Sequence, residues 1–195
     1  LGGNTSNRFS ELTQITPENI DKLEHAWTYR SGDGNGNIQC NPIVVDGVIY
    51  TPTPGRSVVA IDGATGKERW RCAMKGLLGA QTNTPARRGL VFWKGDAKAS
   101  PRLLLGDGNW LVALDPATGH PVPDFGDGGK VPVPTGTTVV GAMHGHILVL
   151  PGYSGDVYGF DARDGRQLWI FKTRPEPGGF GFDTWSSVES GANCW

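Results

Sequence analysis

The sequence has no long apolar run, no excess of either charge and few cysteines. No stretch approaches the roughly 20 apolar residues that a membrane-spanning helix needs, so no part of it predicts such a helix. Lysine and arginine total 18, aspartate and glutamate total 19, and the formal net charge is −1. Without a basic excess, nucleic acid is not an expected partner. The three cysteines, Cys40, Cys72 and Cys194, lack metal-ligand spacing, so we expect isolated buried thiols with at most one bridge among them.

Glycine, proline and tryptophan are the residues that stand out. The 195 residues include 30 glycines, 14 prolines and 7 tryptophans, without a low-complexity tract. So many turn residues predict many short elements, which favours an all-β chain. The exception is TPENIDKLEHAW (16–27), which predicts a short helix with Thr16 as N-cap and Pro17 at its first position.

A short pattern recurs at a long period. The three copies are AIDGATGKERW (60–70), ALDPATGHPVP (113–123) and GFDARDGRQLW (159–169). Their aspartates, Asp62, Asp115 and Asp161, are 53 and 46 residues apart, a period that is typical of the four-stranded blades of a β-propeller. The aspartate is expected to accept N–H groups of its own turn, the glycine to take a positive φ, and the tryptophan to pack one blade on the next. Three unrelated hairpins are the alternative.

We therefore predict a single partial β-propeller domain over residues 1–195, with about three blades and flanking strands. The Asp46-Gly47 pair between β-branched runs predicts a hairpin inside the first blade. The predicted parts are a lead-in with a short helix and a closing strand at 1–35, blades at 36–75, 86–125 and 136–175, and a connection to the next blade at 176–195.

Several segments together resemble one family. The repeat A-x-D-x-x-T-G-x-x-x-W resembles the tryptophan-docking motif of the quinoprotein dehydrogenases, eight-bladed propellers that use pyrroloquinoline quinone (PQQ). ARRGLVFWKGD is similar to the segment beside their cofactor. LDPATGHPVPDFGDGG and GDVYGFDARDGRQLWIFKTRPEPGGFGFDTW are similar to the branch that oxidises glucose, quinate and related alcohols. The resemblance covers nearly the whole chain.

The resemblance implies a set of cofactor-binding residues, namely Gln39, Arg88, Thr138, Asn193 and Trp195. Arg88 corresponds to the arginine that binds the quinone oxygens, where a fixed positive charge stabilises the charge that develops on reduction. Trp195 corresponds to the floor under the flat cofactor, and Asn193 to a polar position beside it. The alternatives are a solvated charge at Arg88, a blade-packing ring at Trp195, and ordinary strand-start residues at Gln39 and Thr138.

The sequence also departs from the family pattern. It lacks the adjacent cysteines that precede the arginine in methanol-type members, and LVLPGYSGDVYGF has no glutamate where the family binds Ca²⁺. The catalytic aspartate and a second Ca²⁺ ligand follow Trp195 in the family. PQQ and Ca²⁺ are thus the implied cofactors, with no metal ligand and no catalytic base expected in this chain. His144 and His146 could be two metal ligands, but no third accompanies them, so we predict a turn between strands there.

The expected function is that of the N-terminal portion of a PQQ-dependent dehydrogenase. It would oxidise a small alcohol or sugar by hydride transfer to the quinone and pass electrons to ubiquinone or cytochrome c, in the periplasm, free or associated with the membrane. The start at Leu1 fits either a removed leader or a fragment. A non-catalytic propeller scaffold, or a truncated chain that binds no cofactor, remains open. In either case a partner or further blades should cover the exposed strand edges.

Overall fold

The structure, a computed structural model of the 195-residue chain, describes residues 13–34, 38–79, 88–137, 139 and 141–184. These residues form three antiparallel sheets that follow one another along the chain, so the predicted all-β class is confirmed. The helical elements are α1 (Met74–Leu78) and two 3-10 turns, at Ile20–Lys22 and Phe182–Thr184. None of the helices in the described ranges has the length and apolar character required to cross a membrane.

The first sheet is a meander of four strands in chain order. Its strands are β1 (Ile43–Val45), β2 (Val48–Pro52), β3 (Ser57–Asp62) and β4 (Glu68–Ala73). The β1–β2 hairpin turns through Asp46 and Gly47, whose φ angles are 48° and 75°. Two left-handed residues make a type I′ turn, which matches the twist of the flanking strands. The Asp-Gly hairpin that the sequence predicts is therefore present.

The second sheet differs from the predicted pattern. It contains β5 (Val91–Trp93), β6 (Arg102–Leu114) and β7 (Lys130–Thr137). β6 spans both predicted strands and turns back at residues 105–109, so that its two ends lie at the same edge of the sheet. The first part of β6 pairs with β5, and its second part pairs with β7. The sequence did not predict β7, because Pro132 and Pro134 lack the N–H that a ladder uses. As an edge strand, β7 tolerates them, and it still buries Val131 and Val133.

The third sheet repeats the meander of the first. Its strands are β8 (Ala142–His144), β9 (Ile147–Pro151), β10 (Val157–Asp161) and β11 (Gln167–Phe171). β10 is almost entirely buried, whereas β11 is exposed along most of its length. β8 lies against β5 of the second sheet, so the first strands of these two sheets are neighbours.

The helix predicted over 16–27 is reduced to the 3-10 turn Ile20–Lys22. Ile15, Ile20 and Leu23 are all more than half exposed, so this segment has no apolar face packed on a core. A short helix without such packing is marginal in water. Thr16 does not act as a side-chain cap; its carbonyl oxygen accepts the N–H of Asn19, and its own N–H donates to Asn19 Oδ1 at 2.8 Å.

The three repeated turns are closed by the same hydrogen bonds. In each, the glycine N–H donates to the aspartate carbonyl oxygen at 2.8 Å: Gly66 to Asp62, Gly119 to Asp115, and Gly165 to Asp161. The Oδ1 atom of each aspartate also accepts backbone N–H groups of its turn. The φ angles of the glycines are 69°, 74° and 79°, a region that favours glycine. The turn chemistry predicted from the repeat is therefore present in all three copies.

Aromatic side chains dock onto these turns from the preceding part of the chain. The indole N–H of Trp27 donates to the Gly63 carbonyl at 3.1 Å, and that of Trp70 donates to Pro116 at 3.0 Å. At the third turn the ring is Phe125, whose Cε1 would lie 3.0 Å from a Cβ on Gly165. Each sheet is thus joined to the next through a ring that lies over a repeated turn.

The core lies between the sheets and is shared by the two faces of β6. Leu103 and Val112 pack with Tyr50 and Val58 of the first sheet, whereas Leu104 and Leu111 pack with residues of the third sheet such as Leu148 and Tyr158. Successive residues of a strand point to opposite faces, so a strand that is buried on both faces needs an apolar run. This explains the sequence RLLL at the start of β6.

The cysteines are less buried than the sequence predicts. Cys40 and Cys72 are free thiols of intermediate burial, and Cys194 lies outside the described residues. Partial burial raises the pKa of the Cys72 thiol. Cys40 Sγ lies 3.6 Å from Thr51 Oγ1.

The meander gives each sheet two different ends. We call the end with the hairpin turns 46–47, 63–66, 116–119, 145–146 and 162–165 the turn edge. The opposite end, with the segments 53–56, 105–109 and 152–156, is the loop edge. The first strand of a sheet enters from the loop edge, because its following hairpin lies at the turn edge.

Candidate functional site

Arg88 lies at the loop edge, directly before the second sheet. It is exposed and stands three residues before β5. Gly89 follows with a φ of 133°, and Leu90 is buried in the core between the first two sheets. The buried leucine two residues away anchors the backbone here, and the Arg88 side chain is exposed at this edge.

Gln39 lies at the same edge of the first sheet. Its side chain is exposed, and it precedes β1 by four residues. The neighbouring Cys40 contacts Thr51, which is near the end of β2 that reaches the loop edge. Gln39 and Arg88 thus each precede the first strand of a sheet, at equivalent places in successive sheets.

The other predicted site residues, Thr138, Asn193 and Trp195, lie outside the described residues. Two of the five predicted cofactor contacts are therefore located, both at the loop edge. Their roles stay predictions.

A buried ion pair crosses the loop edge between the first and second sheets. Arg56 Nη2 lies 3.1 Å from both carboxylate oxygens of Asp107. Arg56 has a φ of 65°, which is unfavourable for a residue with a side chain, and its Nε is a buried donor without a partner in the described part of the chain. Sequence analysis missed this pair. An arginine after Pro-Gly and an aspartate between two glycines look like separate loop residues.

A second polar network holds residues 29–34 against the first sheet. Arg71 binds Asp33 at 2.9 Å, Glu68 at 2.7 Å and the Tyr29 hydroxyl at 2.9 Å. Burial and a hydrogen bond to Glu68 raise the pKa of Tyr29 to about 12. Partial burial alone would raise the pKa of Asp33, but hydrogen bonds from Thr53 and neighbouring groups outweigh it and lower that pKa.

The third sheet joins the loop edge through hydroxyl groups of β7. Thr137 donates to the Pro151 carbonyl at 2.8 Å, and Thr135 lies 3.0 Å from the Tyr158 hydroxyl oxygen. Beyond β11, Lys172 binds the largely buried Asp156 at 3.3 Å. The three sheets are therefore linked at this edge by polar contacts as well as by the core.

Metal-ligating side chains do not converge in the described ranges. Among those residues, no three or more histidine, cysteine, aspartate or glutamate side chains are placed to share a metal ion. His146 Nε2 lies 4.0 Å from Asp161 Oδ2, in a contact between two residues.

Comparison with known proteins agrees with this arrangement. The family model described as "PQQ: Glucose/ethanol/alcohol dehydrogenase, beta-propeller domain" matches residues 1–144. Quinoprotein glucose dehydrogenase A of Acinetobacter calcoaceticus is 28% identical over an alignment that covers 96% of this chain and 29% of that protein. Quinohemoprotein alcohol dehydrogenase ADH IIB of Pseudomonas putida is 33% identical over 86% of this chain and 25% of that protein.

Solved structures show the same likeness. Quinohemoprotein alcohol dehydrogenase ADHIIG from Pseudomonas putida HK5 superposes with a TM-score of 0.70 at 27% identity, covering 87% of this chain and 25% of that structure. The chain thus spans between about a quarter and a third of the length of these relatives. Its three sheets are a partial β-propeller, and the chain belongs to the PQQ glucose/ethanol/alcohol dehydrogenase β-propeller family.

Proposed function

We propose that this chain supplies part of the PQQ site of a dehydrogenase that oxidises the hydroxyl group of an alcohol or a sugar. The observation that carries the proposal is Arg88, an exposed arginine at the loop edge whose backbone is anchored by the buried Leu90. Family membership supports it, because the matched segment, residues 1–144, contains Arg88.

The described donors suit this cofactor chemically. PQQ, when bound, accepts a hydride from the substrate and thereby becomes more negatively charged. The Arg88 guanidinium offers a planar fork of N–H donors that matches anionic oxygens. Gln39 offers an amide that donates a neutral hydrogen bond at the same edge. A fixed charge that stabilises developing negative charge lowers the barrier to the transfer.

Other parts of the proposed site lie beyond the described residues. Thr138 is assigned to a carboxylate of the cofactor, Asn193 to a polar contact, and Trp195 to the surface on which the flat ring stacks. The proposal includes Ca²⁺ as a Lewis acid and an aspartate that takes the proton of the substrate hydroxyl, both held by residues after Trp195.

The proposed enzyme works in the periplasm and passes its electrons to ubiquinone or a cytochrome c.

The outer strand of the third sheet, β11, needs a further element of structure to cover its apolar side chains. Trp169, Ile170 and Phe171 on β11 are 38%, 44% and 58% exposed. We assign this face to a further blade or a partner, because the equivalent ring of the first sheet, Trp70, is covered by the next repeated turn.

A propeller that folds without a cofactor is the second candidate. It is favoured by the sequence LVLPGYSGDVYGF, which has no glutamate where the family binds Ca²⁺. Such a scaffold, or a truncated chain, would keep the ring-to-turn contacts but would not need a guanidinium at position 88. The two candidates therefore differ in the effect of changing Arg88.

The test is reconstitution of the whole protein with PQQ and Ca²⁺, followed by dye reduction with glucose, quinate and simple alcohols. We expect Arg88→Ala to weaken PQQ binding about tenfold or more, since a charge-assisted contact is lost, and Arg88→Lys to restore only part of it. Arg166→Ala, at the exposed turn edge, is the matched control and should leave binding unchanged. Equal PQQ binding by the Arg88 and Arg166 variants, or none by the wild-type protein, would overturn the proposal.

A further inference from the structure

A polar cavity lies at the turn edge of the second sheet, at the opposite end from Arg88. It has a volume of about 500 Å³ and lies between the β5–β6 hairpin and the turn that contains Asp115. Small-molecule sites commonly have volumes of about 300–1,000 Å³. Arg102, the first residue of β6, lines this cavity.

Arg102 is an unusual side chain because it is buried and forms no ion pair with the residues that the structure describes. It is only 4% exposed, and its guanidinium lies 5.8 Å from the ring centres of both Trp93 and Phe125. Within the described residues, Nε donates to the Ser100 carbonyl at 3.4 Å, while Nη1 is a buried donor with no hydrogen bond. A buried guanidinium normally has hydrogen-bond acceptors. Leaving a buried charged donor without an acceptor costs several times the free energy that a surface hydrogen bond contributes.

The acidic groups near Arg102 do not bind it. Asp96 binds Arg163 at 2.7 Å, and Asp161 lies 3.5 Å from the same arginine. Asp115 uses Oδ1 to accept N–H groups of its own turn. Asp124 is exposed on the cavity wall. Asp164 accepts the N–H of Arg166. These carboxylates therefore offset the charge of Arg102 at a distance, and within the described residues none of them accepts a hydrogen bond from its Nη1.

We propose that this cavity binds a small organic monocarboxylate, with Arg102 as the residue that holds the carboxylate. A planar guanidinium fork matches a carboxylate, and one buried positive charge matches one negative charge. Phosphate or a dicarboxylate would bring extra negative charge toward Asp115 and Asp124. Pro121 and Val122 of the cavity wall give an apolar surface for the body of the acid.

Calorimetric titration of the full chain with acetate, lactate and benzoate, and separately with inorganic phosphate, tests this site. We expect saturable one-to-one binding of a monocarboxylate that is stronger than that of phosphate. Arg102→Gln should weaken it about tenfold or more, because the charge-assisted bonds are lost. Lys94→Ala, an exposed charge in the same hairpin outside the cavity, should change affinity less than about twofold.

Asp124→Asn keeps the test decisive if the buried Arg102 variant does not fold. Removing this exposed carboxylate from the cavity wall should tighten monocarboxylate binding about two- to threefold at low salt, by relieving like-charge repulsion. The proposal would be overturned if none of the three acids bound saturably at concentrations up to about 50 mM, which is well above a dissociation constant of about 1 mM. Binding that neither Arg102→Gln nor Asp124→Asn alters, or phosphate binding as strong as that of the acids, would overturn it as well. None of these readouts depends on PQQ or on dehydrogenase activity.

Discussion

The indole nitrogen of Trp70 donates to the carbonyl oxygen of Pro116 at 3.0 Å. Trp70 stands at the outer strand of the first sheet, and Pro116 in the repeated turn of the second. The same ring covers Gly119, where a Cβ would lie 2.4 Å from Trp70 Cε3. One ring therefore links two sheets by a polar bond and by a contact that only glycine permits.

Gly119→Ala should destabilise the chain strongly. The new methyl group meets the Trp70 ring, and the φ of 74° is unfavourable for alanine. Overpacking and left-handed backbone together cost about 2–4 kcal/mol, measured as a fall in the free energy of unfolding in urea. Gly128→Ala is the matched control, because its φ is 60° and no atom lies within 4 Å of the added Cβ, so only the backbone cost of about 1 kcal/mol applies. Equal losses in the two variants would contradict a packing role for Gly119.

Trp70→Phe should cost less than the glycine change but more than the same change at Trp169. The phenyl ring keeps much of the packing but removes one of the two donors to the Pro116 carbonyl, which also accepts the Tyr50 hydroxyl at 3.1 Å. The expected cost is about 1 kcal/mol. Trp169 is 38% exposed, and no described residue accepts a hydrogen bond from its indole. Trp169→Phe in the same chain should therefore change the free energy of unfolding by less than about 0.5 kcal/mol. A larger loss at Trp169 than at Trp70 would mean that the docking contact is not what joins the sheets.

The parts of the fold that could be read from the sequence are those set by local chemistry. Asp62, Asp115 and Asp161 satisfy their own turns, so their spacing revealed the repeat before any contact was known. β7 was hidden because its two prolines carry no ladder donor, and their tolerance depends on its place at the edge of a sheet. The prediction of a helix over 16–27 was wrong for the opposite reason. Its capping residues and helix formers favour a helix locally, but its apolar residues are exposed and do not pack on a core.

The candidate site was less accessible to sequence reasoning. Arg88 and Gln39 were found only through family resemblance, since a polar residue before a strand is common in any β protein. Arg56 and Asp107 lie 51 residues apart in the chain and meet only because two loops of neighbouring sheets share an edge. Arg102 reads in the sequence as an ordinary strand-start charge, and only its burial between Trp93 and Phe125 distinguishes it.

The Arg56–Asp107 pair should contribute more to stability than a surface pair. The Asp107 side chain is 4% exposed and that of Arg56 16% exposed, so Asp107→Ala leaves a largely buried guanidinium without this partner. Breaking such a pair typically costs about 3 kcal/mol or more. Arg69→Ala breaks the exposed pair with Asp62 and should cost much less, because water screens an exposed pair. Urea unfolding of both variants checks the difference, and similar losses would show that the pair at the loop edge is not effectively buried.

Acid should destabilise the chain over a defined range of pH. Hydrogen bonds from Arg69 and Thr65 lower the pKa of Asp62 to about 2, and the Arg71 and Arg163 guanidinium groups lower the pKa values of Glu68 and Asp96. A carboxyl whose pKa is lower in the folded state stabilises the fold above its unfolded pKa and loses that contribution as pH falls through the folded value. The urea midpoint should therefore fall between about pH 4 and about pH 2.

Asp62→Asn isolates the largest of these contributions. The variant should have a lower urea midpoint than the wild-type chain at pH 6, where the carboxylate is charged, and a smaller decrease between about pH 4 and about pH 2. Asp183→Asn removes the same charge from the 3-10 turn Phe182–Thr184, away from the repeated turns, and should keep the wild-type pH profile. If Asp62→Asn retained the full acid-dependent decrease, the carboxylate of the first repeated turn would not be the group whose protonation weakens the fold.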